Sequence, residues 1–268
     1  MKRFILITGS SSGIGEYACK VLLEAGYSIL AGVRSMEDFH RLREKFGSSL
    51  HPLILDVTME STIHDAYDRC VGIVGDDSLV AIINNAGIVV HGAFLYIPSD
   101  AWHRQFDVNV YGIIRTIQSF FPLLKKSVGT DAHPHRIINI SSVSGLFASP
   151  FMGPYVASKY AVEAMTDSLR RELYMYDIQV VLLEPGSIKT PMWTKAKTTP
   201  SYLGEEYEAI AKFKNSILDR NISKGIELSV LDPYLIKAIR QKKVRPRYLI
   251  RRDKWKFNLI RYLPDHWV

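Results

Sequence analysis

Residues 3–15 read Arg3-Phe4-Ile5-Leu6-Ile7-Thr8-Gly9-Ser10-Ser11-Ser12-Gly13-Ile14-Gly15, a short apolar run followed at once by a glycine-rich turn. An unbroken apolar run of this length suits a strand buried on both faces. Residues 13–25 then place apolar side chains at helical spacing, so the stretch reads as strand, tight loop, helix. Glycine permits the tight turn and lets a ligand approach the backbone. The helix start offers free N–H groups and a positive dipole end, which together favour a pyrophosphate. The loop spacing is G-x-x-x-G-x-G, which differs from the commoner G-x-G-x-x-G.

The same alternation continues outward. Further strands are expected at residues 28–33, in a run ending at Asp56, and at 79–84, 136–141, 179–184 and 247–250. Helices are expected at 36–45, 60–74, 101–125, 154–176, 202–218 and 254–262. Strands alternating with helices imply stacked βαβ units. The expected fold is α/β: a single doubly wound, Rossmann-type domain with a seven-stranded, mostly parallel sheet and helices on both faces. The 268 residues, 47% hydrophobic and 23% charged, suffice for one large core. No linker, repeat or low-complexity tract divides residues 1–268. Ligands of such a sheet lie at the carboxyl ends of its strands.

The two cysteines, Cys19 and Cys70, sit in helical patterns among apolar neighbours and form no disulfide framework, which suits a reducing cytoplasm. The apolar start is too short for a secretory leader. No stretch approaches the roughly 20 apolar residues of a membrane span, so a soluble protein is expected. The net charge of +7 is uneven: residues 237–268 carry eleven Lys/Arg against two Asp/Glu. That basic C-terminal extension is a solvated rim or a surface for peripheral membrane contact. No nucleic-acid module accompanies it, and the eight histidines show no metal-ligand spacing.

The unusual residues fall at strand ends. Gly9, Ser11, Ser12, Gly13, Ile14 and Gly15 form the candidate phosphate cradle. After the second strand, the place where a carboxylate commonly holds the ribose of NAD is Val33, followed by Arg34 and Ser35. A guanidinium pairs with a 2′-phosphate that a carboxylate would repel, so NADP(H) is favoured over NAD(H). Asp56 and Val57 follow the third strand, and Asn85, Ala86 and Gly87 follow the fourth, where an adenosine would rest. Asp56 is positioned to accept from an adenine amino group, although a strand-end Asp also forms turns.

Tyr155-Val-Ala-Ser158-Lys159 places a phenol and an ammonium one helical turn apart. A free phenol titrates near pH 10, too high for efficient proton transfer at neutrality, and a nearby cation lowers it. Ser142, just past the fifth strand, places a hydroxyl for the oxygen that gains or loses the proton. Asn109 is polar within an otherwise packed helix.

Thr8-Gly9-x-x-x-Gly13-x-Gly15, Asn84-Asn85-Ala86-Gly87, Asn109, Ser142, Tyr155-x-x-x-Lys159 and Pro185-Gly186-x-x-x-Thr190 occur in one order and spacing. That set resembles the short-chain dehydrogenase/reductase family over residues 1–192. Arg245-Pro-Arg-Tyr-Leu-Ile and Leu263-Pro264-Asp265 are similar to its hydroxysteroid and retinol dehydrogenase-like branch. The resemblance implies that Tyr155 is the general acid/base, that Lys159 lowers its pKa and holds the nicotinamide ribose, and that Ser142 orients the substrate oxygen. It implies that Asn109 supports a water relay to Lys159, and that Pro185, Gly186, Ile188 and Thr190 border the nicotinamide. No metal is implied. Homodimers or homotetramers through the helices near 101–125 and 154–176 are implied.

The segment 191–222 is expected to cover the substrate, with Met192, Trp193, Tyr202, Leu203, Tyr207 and Phe213 as an apolar lining. A lipophilic alcohol or carbonyl compound, such as a steroid, a retinoid or a long-chain carbonyl, fits such a lining. The alternatives are a small polar or acyl carbonyl substrate, an epimerase or dehydratase with bound NAD, and an NADP(H)-sensing protein without turnover. Trp255, Leu259 and Tyr262 form a stripe in the basic tail that would dock on a membrane, close over the pocket or join subunits.

Overall fold

The computed structural model describes residues 1–129, 133–198, 202–204, 207, 219, 222–223 and 225–261. One seven-stranded sheet runs through them in the order β3-β2-β1-β4-β5-β6-β7. Its strands are β1 Arg3–Ile7, β2 Ser28–Val33, β3 Leu50–Ile54, β4 Ser78–Asn84, β5 His135–Ile140, β6 Ile178–Pro185 and β7 Arg247–Ile250. Every neighbouring pair is parallel. Helical crossovers bring each strand back in the same direction.

Helices α1 Gly13–Glu24 and α2 Met36–Phe46 lie on one face, and α3 Glu60–Val74 lies on the other. The side chains of β1 show why both faces must be covered. Ile5 and Ile7 join one buried cluster with Cys19 and Leu22 of α1, while Phe4 and Leu6 join the other with Cys70 of α3. Alternation along a strand sends successive side chains to opposite faces. With both faces buried, the strand must be apolar throughout. Pro52 sits in β3, an edge strand, where a missing N–H costs least.

The expected long helix at 101–125 stays helical throughout but changes its hydrogen-bond register in the middle. It comprises α4 Ser99–Phe106, a π-helical turn at Asp107–Tyr111, and α5 Gly112–Lys126. The turn carries Asn109, and Gly112 lets α5 approach β3's exit: a Cβ there would lie 2.6 Å from Val57 Cγ2. The helix expected at 154–176 is α6 Gly153–Glu172, whose last turn tightens to a 3₁₀ helix at Leu173–Tyr176. Helices α7 Pro191–Thr198 and α8 Asp232–Arg240 were not anticipated. The helix expected at 202–218 falls almost wholly outside the described residues. Helix α9 Lys254–Arg261 follows β7.

The sheet reverses its order between β1 and β4, and this opens the carboxyl ends of those strands as a cleft.

Candidate active site

The cleft begins at the exit of β1. The Thr8 hydroxyl oxygen accepts the N–H groups of Asn85 and Ala86, each at 3.1 Å. The Asn85 side chain returns the contact, donating to the carbonyls of Thr8 at 3.0 Å and Gly9 at 2.9 Å. These bonds lock the loop after β1 to the loop after β4. Gly9 has φ +65°, and a Cβ on it would lie 2.8 Å from Ala86 Cα. Only glycine fits there. Gly9, Ser11, Ser12, Gly13 and Ile14 line the cleft. Ser12 begins α1, and its hydroxyl caps no N–H of the first turn, so those donors stay available to an anion.

Two expected cofactor residues have other work. Gly15 does not line the cleft; a Cβ there would stand 2.3 Å from the Gly9 carbonyl oxygen and 2.5 Å from Asn85 Nδ2. It is the residue that lets α1 pack under the loop. Ser35 caps α2, accepting from the Asp38 N–H at 3.2 Å, and it also stands off the cleft.

Arg34 is exposed and borders the cleft beside Val33, Asp56 and Val57. One oxygen of Asp56 takes the Thr58 N–H at 2.9 Å and the Thr58 hydroxyl at 2.7 Å, so Asp56 is a turn former as well as a lining residue. Arg41 of α2 was missed by sequence reasoning. It reaches back to the glycine loop, donating to the Ser11 carbonyl at 2.5 Å, and pairs with Glu16 at 3.2 Å. A helical residue seven positions beyond Arg34 gives no local signal of that return.

At the other end of the cleft stand Ser142, Tyr155 and Lys159, with Asn85, Ala86, Gly87, Pro185, Gly186, Ile188 and Thr190 between. Lys159 is 7% exposed and donates to the Ile140 carbonyl at 2.8 Å, with its ammonium 5.8 Å from the centre of the Tyr155 ring. Burial pushes this ammonium down to about 8, and Glu163 opposes the fall. The expected lowering of the phenol is not what the described groups produce. Burial raises Tyr155 above its ordinary value, and the Ser142 hydroxyl pulls it back. Ser142 Oγ accepts from the Ser144 N–H at 3.1 Å, which leaves the hydroxyl proton to point at the phenol or at a substrate oxygen.

Asn109 is 1% exposed and neither lines the cleft nor touches Lys159. Its amide oxygen accepts from the Ile88 N–H at 2.9 Å, and its NH2 donates to the Ile88 carbonyl at 3.1 Å and the Ser158 hydroxyl at 3.2 Å. Ser158 in turn donates to the Tyr155 carbonyl at 2.7 Å. Gln105, one turn before Asn109, accepts from the Val90 N–H at 2.7 Å and donates to Ile88. Sequence reasoning named no role for Gln105 or Ser158; both lie at helical spacing from residues it did name.

The substrate side is mixed. Met192 and Trp193 line the cleft with Val89 and Ala196. Tyr202 packs instead with Val90, Ile97 and Ala101, and Tyr207 meets Tyr96 and Phe151 edge to face. Leu203 is described but borders no part of the cleft, and Phe213 lies outside the described residues. Among the described residues no three His, Cys, Asp or Glu side chains converge as a metal site. No helix among them is long and apolar enough to cross a membrane.

A parallel sheet with a glycine-loop anion cradle at one end of its cleft, and a phenol, an ammonium and a hydroxyl at the other, defines an NAD(P)-binding oxidoreductase. The chain belongs to the short chain dehydrogenase family, whose model matches residues 3–201. It is 34% identical to an NADPH-dependent 3-dehydrocapnine reductase of Ornithobacterium rhinotracheale, over 98% of this chain and 93% of that one. It is 34% identical to 17-beta-hydroxysteroid dehydrogenase type 6 of Rattus norvegicus, over 99% of this chain and 86% of that one. Such relatives place it in the hydroxysteroid and retinol dehydrogenase-like branch. Its backbone superposes on a short-chain dehydrogenase of Streptomyces avermitilis with a TM-score of 0.81 and 23% identity, over 96% of this chain and 90% of that one. Members of this family act on alcohol and carbonyl groups.

Proposed function

We propose that this chain is an NADP(H)-dependent oxidoreductase that interconverts a lipophilic alcohol and its ketone or aldehyde. The observation that carries the reading is that Tyr155, Ser142 and Lys159 share one cleft with the glycine loop and Arg34. The donor set fits a phosphorylated dinucleotide: backbone N–H groups of the loop for its pyrophosphate, Arg34 for a 2′-phosphate, Lys159 for the nicotinamide ribose. Asp56, Val57 and the Asn85–Gly87 loop border the adenosine end, and Pro185, Gly186, Ile188 and Thr190 the nicotinamide end. When bound, the dinucleotide supplies the hydride chemistry.

In reduction, the Tyr155 hydroxyl gives its proton to the carbonyl oxygen, and the Ser142 hydroxyl fixes that oxygen. In oxidation the same phenol oxygen, as phenolate, receives the proton. Lys159 stabilises the phenolate. Asn109 supports Tyr155 from behind, through Ser158.

Val89, Met192, Trp193 and Ala196 favour an apolar substrate body. The NADPH dependence named for the relative from Ornithobacterium rhinotracheale supports the cofactor preference. Self-association through the helices near 101–125 and 154–176 is consistent with the exposure of Tyr111 and Tyr160, and peripheral membrane contact with that of Trp255 and Leu259. The test is consumption of NADPH and of NADH against a series of ketones of rising chain length, in wild type and Tyr155→Phe. Ketone-dependent NADPH loss that improves with chain length, and disappears in Tyr155→Phe while NADPH still binds, is expected. Substantial turnover by Tyr155→Phe would overturn the assignment.

A further inference from the structure

Helix α6 carries its chemistry further than the reacting pair. Tyr155, Lys159, Glu163 and Asp167 follow at four-residue intervals and share one face. Glu163 is as deeply placed as the pair, at 6% exposure. A carboxylate this deep needs a partner, and it comes from the far edge of the sheet. Arg247, at the start of β7, donates from Nε to Glu163 Oε2 at 3.1 Å and lies 3.3 Å from Glu184 Oε1 on β6. Its terminal nitrogen donates to Asp167 Oδ2 at 2.5 Å, and Arg170 holds the other oxygen of Asp167.

Glu163, Asp167 and Glu184 thus gather around the guanidinium groups of Arg247 and Arg170. Glu163 itself stands one helical turn beyond Lys159, on the same face. The second oxygen of Glu163, Oε1, is buried and accepts no hydrogen bond. Gly145 lets the turn after β5 pack against α6 at this level, because a Cβ there would lie 3.0 Å from Glu163 Cγ, from the Lys159 carbonyl and from Ser141 Oγ. From its own helix, Lys159 faces Tyr155 and Glu163. From β5 it meets the Ile140 carbonyl, with the Ser141 and Ser142 hydroxyls beyond, and Glu184 and Arg247 of β6 and β7 reach it through Glu163. A carbonyl dipole cannot balance a buried ammonium, whereas a nearby carboxylate acts strongly through a low dielectric.

We propose that Glu163, clamped by Arg247, is a positioning residue that keeps the Lys159 ammonium charged in its buried place. The inference rests on Tyr155 and Lys159 being the reacting pair. Glu163 touches neither substrate nor cofactor. It sets how far the working range extends into alkali, because Lys159 loses its proton first on that side. Arg247 holds the Glu163 carboxylate in place through the Nε hydrogen bond at 3.1 Å.

The test is the pH profile of kcat/KM for carbonyl reduction in wild type, Glu163→Gln, Glu163→Asp and Glu184→Gln, with Tm for each. Glu163→Gln is expected to move the alkaline limb down by roughly half to one pH unit, a loss of about 3- to 10-fold near pH 8 with little change near pH 6. Glu163→Asp should fall between it and wild type. Glu184→Gln removes a carboxylate from the same Arg247 cluster and should lower Tm while leaving the limb in place. An unmoved limb in Glu163→Gln, or an equal movement in Glu184→Gln, overturns the proposal. Should Glu163→Gln fail to fold, an unmoved limb in Glu163→Asp overturns it instead. If Tyr155→Phe is inactive and the limb does not move, only this inference fails; if Tyr155→Phe is active, the reading of the site fails first.

Discussion

The side-chain amide of Asn109 donates to the Ser158 hydroxyl at 3.2 Å, and this ties the π-helical turn to the helix that carries Tyr155. A polar residue at 1% exposure that satisfies both the N–H and the carbonyl of Ile88 is a strut between two loops and a helix. Asn109→Ala takes the partner from the Ile88 N–H, at roughly 1–3 kcal/mol, while the Ile88 carbonyl keeps Gln105. A fall in Tm with kcat reduced about 10-fold or more, and a dinucleotide Kd changed far less, is expected from denaturation and fluorescence titration. An unchanged kcat in a folded variant would show that Asn109 supports the fold alone.

Arg34 is an exposed cation that borders the cleft beside Val33 and Asp56. Arg34→Asp exchanges a donor to a 2′-phosphate for an acceptor of ribose hydroxyls. The ratio of kcat/KM for NADPH over NADH should fall by about 10- to 100-fold, chiefly through KM. Arg41 is close by but engaged with Glu16, Asp38 and the Ser11 carbonyl, so it should not substitute for the lost charge. A constant ratio would move the phosphate reader elsewhere.

Much of this was legible in residues 3–15, since an apolar strand, a glycine loop and a helix admit few other folds. Tyr155 and Lys159 announced themselves by one-turn spacing. What stayed hidden depends on contacts distant in sequence. Helix α8 buries Leu235, Ala238 and Ile239, but they sit in so basic a stretch that its charge masked the apolar face. A side chain from β5 completes it: Arg136, fully buried, donates to the carbonyls of Ala238 and Gln241 at the end of α8. Tyr202 and Tyr207 were expected to line the cleft, yet helical spacing shows only that a face is covered, not which surface covers it. Arg41 reaches the glycine loop only because α2 folds back beside α1.

Among the loop glycines, Gly15 is required by packing alone. Gly9 needs its positive φ, but Gly15 is required because the Gly9 carbonyl oxygen occupies the place of its Cβ. Gly15→Ala should therefore cost about 1–3 kcal/mol of stability by overpacking. Because the displaced atom belongs to the phosphate loop, the dinucleotide Kd should rise with it. Thermal unfolding with and without NADPH separates the two effects, and a variant that bound normally would show that the loop tolerates the shift.

Asp167 makes stability depend on pH in a definite direction. Burial pushes its carboxyl up, but hydrogen bonds from Arg247 and Arg170 outweigh that and hold it below the ordinary carboxylate value. The folded state therefore binds the proton less readily than the unfolded chain does. The stability this contributes is fully present above the unfolded carboxylate value and is lost as pH falls through the lower folded one. Wild type should exceed Asp167→Asn in Tm at neutral pH, with the gap closing below about pH 4 as the unfolded chain's carboxyl gains its proton. A gap that stayed constant into acid would mean that Asp167 acts through shape alone, and that the two guanidinium groups do not need its charge.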